Sequence, residues 1–434
     1  MSFEVAGKRM TFETGRIGRQ ASGSVTVTLD KTIVYSTVCN ERESTPVDFT
    51  PLRVDYFARY SAVGQTIGAF HRRDSRGDDN EILVARLIDR PIRPMIAEGW
   101  QHETQILAWV LSYDKVNSPE PLSICAASAA MTVSDVPMVK PVAGVEVAWV
   151  DGGFIVNPTN AEKKLSPLQL TVAGTKDGIL MIEGAGDFIP EDIMVQAIAA
   201  GHAAIGVICD GLSVLQRIAG KPKRLDTLRK LPGELLDAMD ALFGEKIIKA
   251  LSIGDKQERG ASVAAVEKEI VQRFCTESAP ALRSSVAGDG ERDIVEEEDG
   301  AADVHLVDPL EDLVVDEPVA GQDELSEDEA SELPKPVSEG GLSATSGFEG
   351  AIAGYKYDSI DVKISIKKLL VRCLRRMINT TGRRSDGRDK DEMREISIDS
   401  SLLPMAHGSS LFTRVISSLL IRISLAWRTE RILQ

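Results

Sequence analysis

The sequence is short of cysteine and histidine, and both shortages limit what the chain can be. The cysteines lie far apart with no CxxC pair, at positions Cys39, Cys125, Cys209, Cys275 and Cys373. Neither a disulfide framework nor a zinc site is therefore predicted, and a reducing compartment fits best. The five histidines are equally scattered, which favours structural or surface roles over metal binding.

Three kinds of segment are also missing. No apolar run approaches the roughly 18 residues of a membrane span, so we expect no membrane contact. Met1 is followed directly by strand-like sequence instead of a signal or transit pattern. Neither a P-loop (GxxxxGK followed by Ser or Thr) nor a GxGxxG fingerprint occurs, which argues against the phosphate-binding loops built on those patterns.

The negative charge is concentrated in one stretch. The net charge is −16, yet residues 289–339 contain 20 Asp and Glu against Arg292 and Lys335, so this stretch carries −18 and the rest about +2. The stretch is poor in aromatic residues and self-repelling, and we predict a disordered acidic linker over residues 281–360. From residue 361 onward, 15 Lys and Arg face 8 Asp and Glu. A basic region therefore follows an acidic linker.

Hydrophobic periodicity predicts an α+β region followed by a helical one. Residues 21–39 alternate Val, Ile and Tyr with small or polar residues around Leu29-Asp-Lys, which predicts two strands and a tight turn. Asn80 is predicted to cap a helix that ends before Pro91. Further short strands follow, then a helix of small residues over 190–212. From residue 221 to about 278 the period becomes helical, and residues 361–378 predict another amphipathic helix.

Residues 68–79, GAFHRRDSRGDD, contain an aromatic residue, a histidine and three arginines. The residues alone leave two interpretations open, an ordinary solvated loop or a loop that holds a polyanion. The arginines of the next segment, Arg86, Arg90 and Arg93, are predicted to form ion pairs and helix-end contacts.

Several motifs resemble the polynucleotide phosphorylase family. They are FETGRIGRQASGSV, GAFHRRDSR followed by ARLIDRPIRP, VNPT, DKQER, GRRSDGRD and LPMAHGSSLFTR, and they cover residues 3 to about 280 and 361–414. The resemblance implies an RNase PH-like α+β core (ribosomal-protein-S5-domain-2-like) and an all-α domain before the acidic linker. The implied ranges are 1–218 for the first core, 219–280 and 361–382 for the helical domain, 383–414 for the start of a second core, and 415–434 for a tail without a family counterpart.

The resemblance also implies an RNA-binding loop. In the family, an aromatic-aromatic-Arg-Arg loop lines the neck of a channel through a homotrimer and grips single-stranded RNA. Matching positions here are Phe70, His71, Arg72 and Arg73, with Arg76 as a further basic residue; His71 replaces the usual second aromatic. Arg383, Arg384 and His407 match positions near the substrate site of the second core. Their alternative interpretation is that of charged residues at the start of an incomplete domain.

By resemblance, the activity is phosphorolytic 3′–5′ exoribonuclease (polyribonucleotide nucleotidyltransferase) chemistry in RNA processing and mRNA degradation. Inorganic phosphate is the co-substrate and Mg²⁺ the cofactor. The family's catalytic and metal-binding residues lie in the body of the second core, and the resemblance stops at Arg414. We therefore predict a truncated or mis-spliced gene product, or a frame change near residue 414, with no catalytic residue and no metal ligand. Asp135, Asp151, Asp177 and Asp187 match no catalytic motif, and Asp177 is interpreted as a turn former.

An alternative function remains open, that of a non-catalytic RNA-binding or subunit-assembly fragment. The family works in the cytoplasm of bacteria and in organelles, so the expected compartment is the cytoplasm or the matrix of a mitochondrion or plastid.

Overall fold

A computed structural model describes residues 1–66, 79–275, 357–414 and 417–423. The chain divides into two compact units, Met1–Leu231 and Pro232–Gln434. Nearly all of the predicted acidic linker lies outside the described residues.

A six-stranded sheet opens the first unit. Its strand order is β1-β2-β3-β4-β6-β5, and the strands are β1 Ser2–Val5, β2 Lys8–Thr14, β3 Gly23–Leu29, β4 Thr32–Asn40, β5 Leu52–Phe57 and β6 Thr104–Ser112. The predicted hairpin is confirmed: β3 and β4 pair from Leu29 opposite Thr32, and Asp30 turns the chain with a φ of 52°. Val25, Val27 and Leu29 lie on the apolar face of β3, and the alternate residues Ser24 and Thr26 are buried as well, so both faces of this strand are covered.

The connection from β5 to β6 contains a helix whose two ends differ from the sequence prediction. These two strands are parallel, and helix α1 (Asp79–Ile92) lies between them in the chain. Asn80 lies inside this helix and Pro91 is part of its last turn, so the predicted cap and the predicted stop before proline are both wrong. Pro91 and Ile92 are buried. Burying an isoleucine contributes about 1.5–3 kcal/mol, which offsets the poor fit of a proline at the end of a helix.

A four-stranded antiparallel sheet and three further helices make up the rest of the described part of the first unit. The sheet order is β10-β9-β7-β8, with β7 Ala143–Val150, β8 Gly153–Val156, β9 Leu168–Gly174 and β10 Ile179–Gly186. The helices are α2 Pro119–Val133, α3 Asn160–Leu165 and α4 Glu191–Ala219. Helix α2 packs on strands of both sheets and is buried along nearly its whole length. Gly23 passes so close that a Cβ there would lie 2.1 Å from the Ala130 carbonyl oxygen.

Helix α4 confirms the predicted helix. It has 29 residues, and by length and composition it is apolar enough to cross a membrane, with a mean hydropathy of 1.7 in its most apolar window. Gln196, His202 and Asp210 interrupt the apolar sequence of the helix. However, 44% of the window is buried inside the protein, with Ile205, Ile208 and Leu212 in the core of the first unit.

The segment after α4 lies along the first unit. Three of its backbone N–H groups donate to carbonyls of the first unit: Lys221 to Val133, Arg224 to Asp135 and Arg229 to Gly99. The compact unit therefore extends to Leu231, whereas the sequence prediction divided the domains at 218/219. The Lys223 ammonium donates to the carbonyls of Met131, Thr132 and Ser134 at 2.8–2.9 Å. Burial lowers the pKa of Lys223 to about 8.

In the described part of the second unit, three helices form the core: α5 Gly233–Leu251, α6 Lys256–Phe274 and α7 Ser359–Thr381. The amphipathic pattern over 361–378 is confirmed by α7. Phe243 and Phe274 meet edge to face within their apolar cluster. The Tyr357 N–H donates to the Phe274 carbonyl at 2.8 Å, so the two chain ends that flank residues 276–356 adjoin each other.

A three-stranded antiparallel sheet, in the order β11-β12-β13, follows α7. Its strands are β11 Ile396–Ser400, β12 Gly408–Arg414 and β13 Ser417–Ile423. Strand β13 lies in the tail that has no counterpart in the resemblance, yet it pairs with β12 along its whole length.

Candidate functional site

The predicted RNA-binding residues, Phe70, His71, Arg72, Arg73 and Arg76, lie outside the described residues. Both chain segments that flank them are described. On the N-terminal side, β5 is followed by a short 3₁₀ turn, Tyr60–Val63, which ends at Gly64 with a left-handed φ of 69°. The Ala62 carbonyl accepts from the Tyr113 N–H at 2.9 Å, and this bond ties the turn to the end of β6. On the C-terminal side the chain enters α1.

A buried ion pair joins the two flanks. Arg59 Nη1 lies 3.5 Å from Glu81 Oε2, and the two side chains are 14% and 8% exposed. Glu81 Oε1 also accepts from the Ala58 N–H at 2.9 Å. The Arg59 guanidinium lies 4.9 Å from the centre of the Phe57 ring, which stacks at a tilt on Trp109. Sequence inspection misses this pair because its partners stand far apart in the chain and neither belongs to a motif.

Arginines of α1 and the turn after it bind protein carboxylates and carbonyls. Arg93 donates to Asp89 at 2.8 and 3.0 Å and to the carbonyls of Thr50 and Leu52 at 3.0 Å. Arg90 lies 3.4 Å from Glu183 in an exposed pair. The predicted ion pairing is confirmed for these two arginines.

The three residues predicted near a second-core substrate site occupy two turns. Arg383 and Arg384 share one turn, where Arg383 lies 3.9 Å from Asp389 and the Arg384 N–H donates to the Arg388 carbonyl at 2.8 Å. Both arginines are exposed. His407 directly precedes β12. The charge of Arg383 is thus partly compensated within its own turn.

A cleft of about 170 Å³ lies on the four-stranded sheet. Its polar lining consists of Glu146, Lys163, Gln169, Thr171 and Glu183. Lys163 pairs with Glu146 and bonds to Ser118, so the central charges of the cleft compensate each other. Neither Lys163 nor Glu146 stands in a motif that would single it out in the sequence.

Asp177, one of the carboxylates that match no catalytic motif, makes contacts within its own turn and with a lysine. Asp177 lies in the turn between β9 and β10, where its side chain lies 2.8 Å from Lys140 Nζ and its N–H donates to Thr175 Oγ1. The prediction of a turn former is confirmed. Within the described ranges, no group of three or more His, Cys, Asp or Glu could hold a metal ion.

Comparison with known families matches most of the first unit. The 3′ exoribonuclease family, domain 1, matches residues 6–137, and domain 2 of the same family matches residues 140–204. The solved structures of rice Rrp46 and of an archaeal exosome core cover 48% and 47% of the chain at 18% and 16% identity, with TM-scores of 0.39 and 0.38.

Relatives extend the similarity along nearly the whole chain. A polyribonucleotide nucleotidyltransferase from Protochlamydia amoebophila is 38% identical over 95% of this chain and 49% of its own length. A probable chloroplastic polyribonucleotide nucleotidyltransferase from rice is 40% identical over 94% of this chain and 42% of its own length. This chain spans about half the length of the curated relatives it matches. The first unit therefore has the RNase PH-like core of the 3′ exoribonuclease family, and nearly the whole chain is similar to polyribonucleotide nucleotidyltransferases.

Proposed function

We propose that this chain binds single-stranded RNA as part of a phosphorolytic 3′–5′ exoribonuclease that acts in RNA processing and mRNA degradation. The observation that carries the proposal is the match of residues 6–137 and 140–204 to both domains of the 3′ exoribonuclease family. The proposed contacts are Phe70, His71, Arg72, Arg73 and Arg76, which the resemblance assigns to the RNA path.

The chemistry of these side chains suits RNA. Single-stranded RNA is held without sequence preference by cations along its backbone and by flat side chains on which bases stack, worth about 1–3 kcal/mol per base. Three arginines within five positions, together with Phe70 and His71, supply both. A homotrimer, the assembly we propose from the resemblance, would repeat these charges around one axis and raise the local positive potential.

In the reaction of the proposed enzyme, an oxygen of inorganic phosphate attacks the terminal phosphorus of RNA. The bond to the 3′ oxygen of the shortened chain breaks, and a nucleoside diphosphate is released. Mg²⁺ would offset the developing negative charge. The described residues do not fit this ion, since no carboxylate or histidine cluster of theirs could hold it, and we derive no step through it. We propose that the reaction takes place in the body of the second core, beyond Arg414, the last residue that the resemblance covers.

Activity is tested on the purified full chain. With poly(A), phosphate and Mg²⁺, we expect no release of ADP above that of a protein-free blank. Release well above the blank would show that these residues catalyse the reaction without the rest of the relatives' length. The compartment that we propose, the cytoplasm or the matrix of an organelle, can be examined separately by localising the tagged chain.

RNA binding is tested with a charge-matched control. Replacing Arg72, Arg73 and Arg76 by Ala should weaken oligo(A) binding and reduce the salt dependence, by about 0.7 in the logarithmic slope for each phosphate that the arginines no longer neutralise. The control replaces Arg9, Arg217 and Arg273, which are exposed, and removes the same charge elsewhere. Equal affinities and slopes in the two triple variants would remove the loop from the RNA path.

A second candidate is a subunit-assembly role without turnover. The three-stranded sheet of the second unit favours it, because Ile396, Ile398, Leu419 and Ile421 are each about half exposed or more. Exposed apolar residues grouped on one sheet mark interaction surfaces. Sedimentation of the parent and of an Ile398→Lys variant tests this role: we expect an oligomer that the substitution weakens, and a monomeric parent would contradict it.

A further inference from the structure

We propose that the cleft on the four-stranded sheet is a subsite for one unpaired RNA base. The base it fits carries an exocyclic amino group beside a ring-nitrogen acceptor, which is the pattern of adenine and cytosine. Gln169 recognises this edge of the base, and the carboxylate of Glu183 beside it sets the preference for an amino group. This inference rests on the proposed function, because it names a further contact of the chain with RNA.

The register of the sheet explains why a cleft opens at this place. Residues two apart on a strand point to the same face, and register partners on β7, β9 and β10 form two neighbouring rows there. The first row consists of Ala148, Gln169 and Ala185, and the second of Glu146, Thr171 and Glu183. All six line the cleft. Because neighbouring strands lie about 4.8 Å apart, a methyl group on each side of Gln169 leaves room above the sheet for a flat ring.

Two polar side chains of these rows are available to a ligand. Among the described residues, neither the Gln169 amide nor the Thr171 hydroxyl has a side-chain hydrogen-bond partner. Gln169 is exposed, so its amide can meet a ligand without breaking a contact within the protein. A glutamine amide offers a donor and an acceptor in one plane, and it pairs in bidentate fashion with the amino group and ring nitrogen of adenine. The floor of the cleft therefore suits the edge of a base.

The charges around Gln169 favour an uncharged ligand that carries an amino group. Lys163 pairs with Glu146 and Arg90 lies 3.4 Å from Glu183, so the cleft does not select for a net charge. An ionised carboxylate only accepts hydrogen bonds. The exocyclic amino group of adenine or cytosine can donate to Glu183, whereas a carbonyl oxygen of uracil would meet its lone pairs. The donor and acceptor pattern therefore predicts binding of adenine or cytosine over uracil.

The experiment titrates the full chain with adenosine and with uridine, which lack the phosphates that the arginines are proposed to contact. Side-chain amide signals are followed by nuclear magnetic resonance, and the signal that disappears in Gln169→Leu belongs to Gln169. Gln196→Leu, at an exposed position of α4, is the matched control because it removes the same amide elsewhere. Glu183→Gln tests the carboxylate, and the melting temperature is measured for every variant.

We expect adenosine to shift the Gln169 signal with saturation and to bind the parent at least about fivefold more tightly than uridine, the smallest discrimination that a bidentate contact gives. Gln169→Leu should weaken adenosine binding by a similar factor and melt like the Gln196→Leu control. Glu183→Gln should reduce the preference for adenosine over uridine, since an amide can donate to a uracil carbonyl.

Failure of this inference and failure of the proposed function give different results. If the parent binds oligo(A) but adenosine shifts no cleft signal, or binds Gln169→Leu as tightly as the parent, the cleft is not a base subsite and the proposed function stands. Equal affinities for adenosine and uridine overturn the assignment of the base in the same way. If the parent binds adenosine in the cleft but does not bind oligo(A), the proposed function fails, and the cleft is a nucleoside site without a role in RNA binding.

Discussion

At the scale of single residues, the turn between β6 and α2 depends on one ionised carboxylate. Asp114 Oδ1 accepts from the N–H groups of Val116 and Asn117 at 2.7 and 2.8 Å, and Oδ2 accepts from the Asn117 amide at 2.9 Å. Burial alone would raise the pKa of Asp114, but these hydrogen bonds outweigh it and lower the pKa to about 2. Asn117 is itself buried. Its Oδ1 accepts a hydrogen bond from Lys8 Nζ at 3.0 Å, so the turn links β2 to α2.

An Asp114→Asn variant should be less stable than the parent near pH 7 by about 1 kcal/mol, because two backbone donors lose a charged acceptor. The folded pKa of about 2 lies below the ordinary value of 3.8. The stabilisation is therefore present above pH 4 and is lost as the pH falls toward 2. Urea unfolding of both proteins between pH 7 and pH 2.5 measures this difference. The exposed Asp226→Asn is the control, and a difference that stays constant with pH would contradict the prediction.

Lys223 provides a second prediction at this scale. Its ammonium satisfies carbonyls at the C-terminal end of α2, a place where helices leave four carbonyls without intrahelical partners. Lys223→Met should destabilise the first unit by about 1–3 kcal/mol, since buried carbonyls would lose their donor. Lys230→Met, at an exposed position, should have little effect. Equal unfolding midpoints in urea for the two variants would rule out this capping role.

At the scale of elements, the hydrogen bond between Tyr357 and Phe274 makes residues 276–356 an insertion into a helical unit. We expect that replacing residues 278–355 by four Gly and Ser residues leaves α5, α6 and α7 packed as they are. Because a shorter loop costs less entropy to close, about four halvings of this connection's length should raise the free energy of unfolding by up to about 2.5 kcal/mol. Thermal unfolding followed by circular dichroism tests this, and a fall in the melting temperature or a loss of helical signal would contradict it.

Elements differ in how far the sequence predicts them. The β3–β4 hairpin, α4 and α7 are predictable because each rests on a local period, of two or of 3.6 residues. The parallel pairing of β5 with β6 is not, because strand partners separated by a helix leave no local signal. Helix α1 runs through Pro91 because tertiary burial overrides a local preference. The resemblance predicts the motif residues of the candidate site. It does not predict the pair of Arg59 and Glu81, because these two residues become neighbours only when the chain folds.

At the scale of the whole molecule, the placement of charge predicts a salt-dependent effect on RNA. Residues 289–339 carry −18 while the remainder is close to neutral, and a tethered polyanion raises the local negative potential. A variant with these Asp and Glu changed to Asn and Gln should bind oligo(A) more tightly than the parent at about 50 mM salt. The gain should vanish near 0.5 M salt, where exposed charges are screened. Filter binding at both salt concentrations measures this, and a gain independent of salt would contradict it.

Among the described residues, helix α4 is the one element apolar and long enough to cross a membrane, and its position in the chain bears on biogenesis. The strands on which it packs, β1, β7, β8 and β9, all precede it in the sequence. During synthesis from the N-terminus, those strands leave the ribosome before the helix does. Its apolar side therefore emerges next to surface that is already available to cover it, which shortens the time in which chaperones or the insertion machinery could capture it.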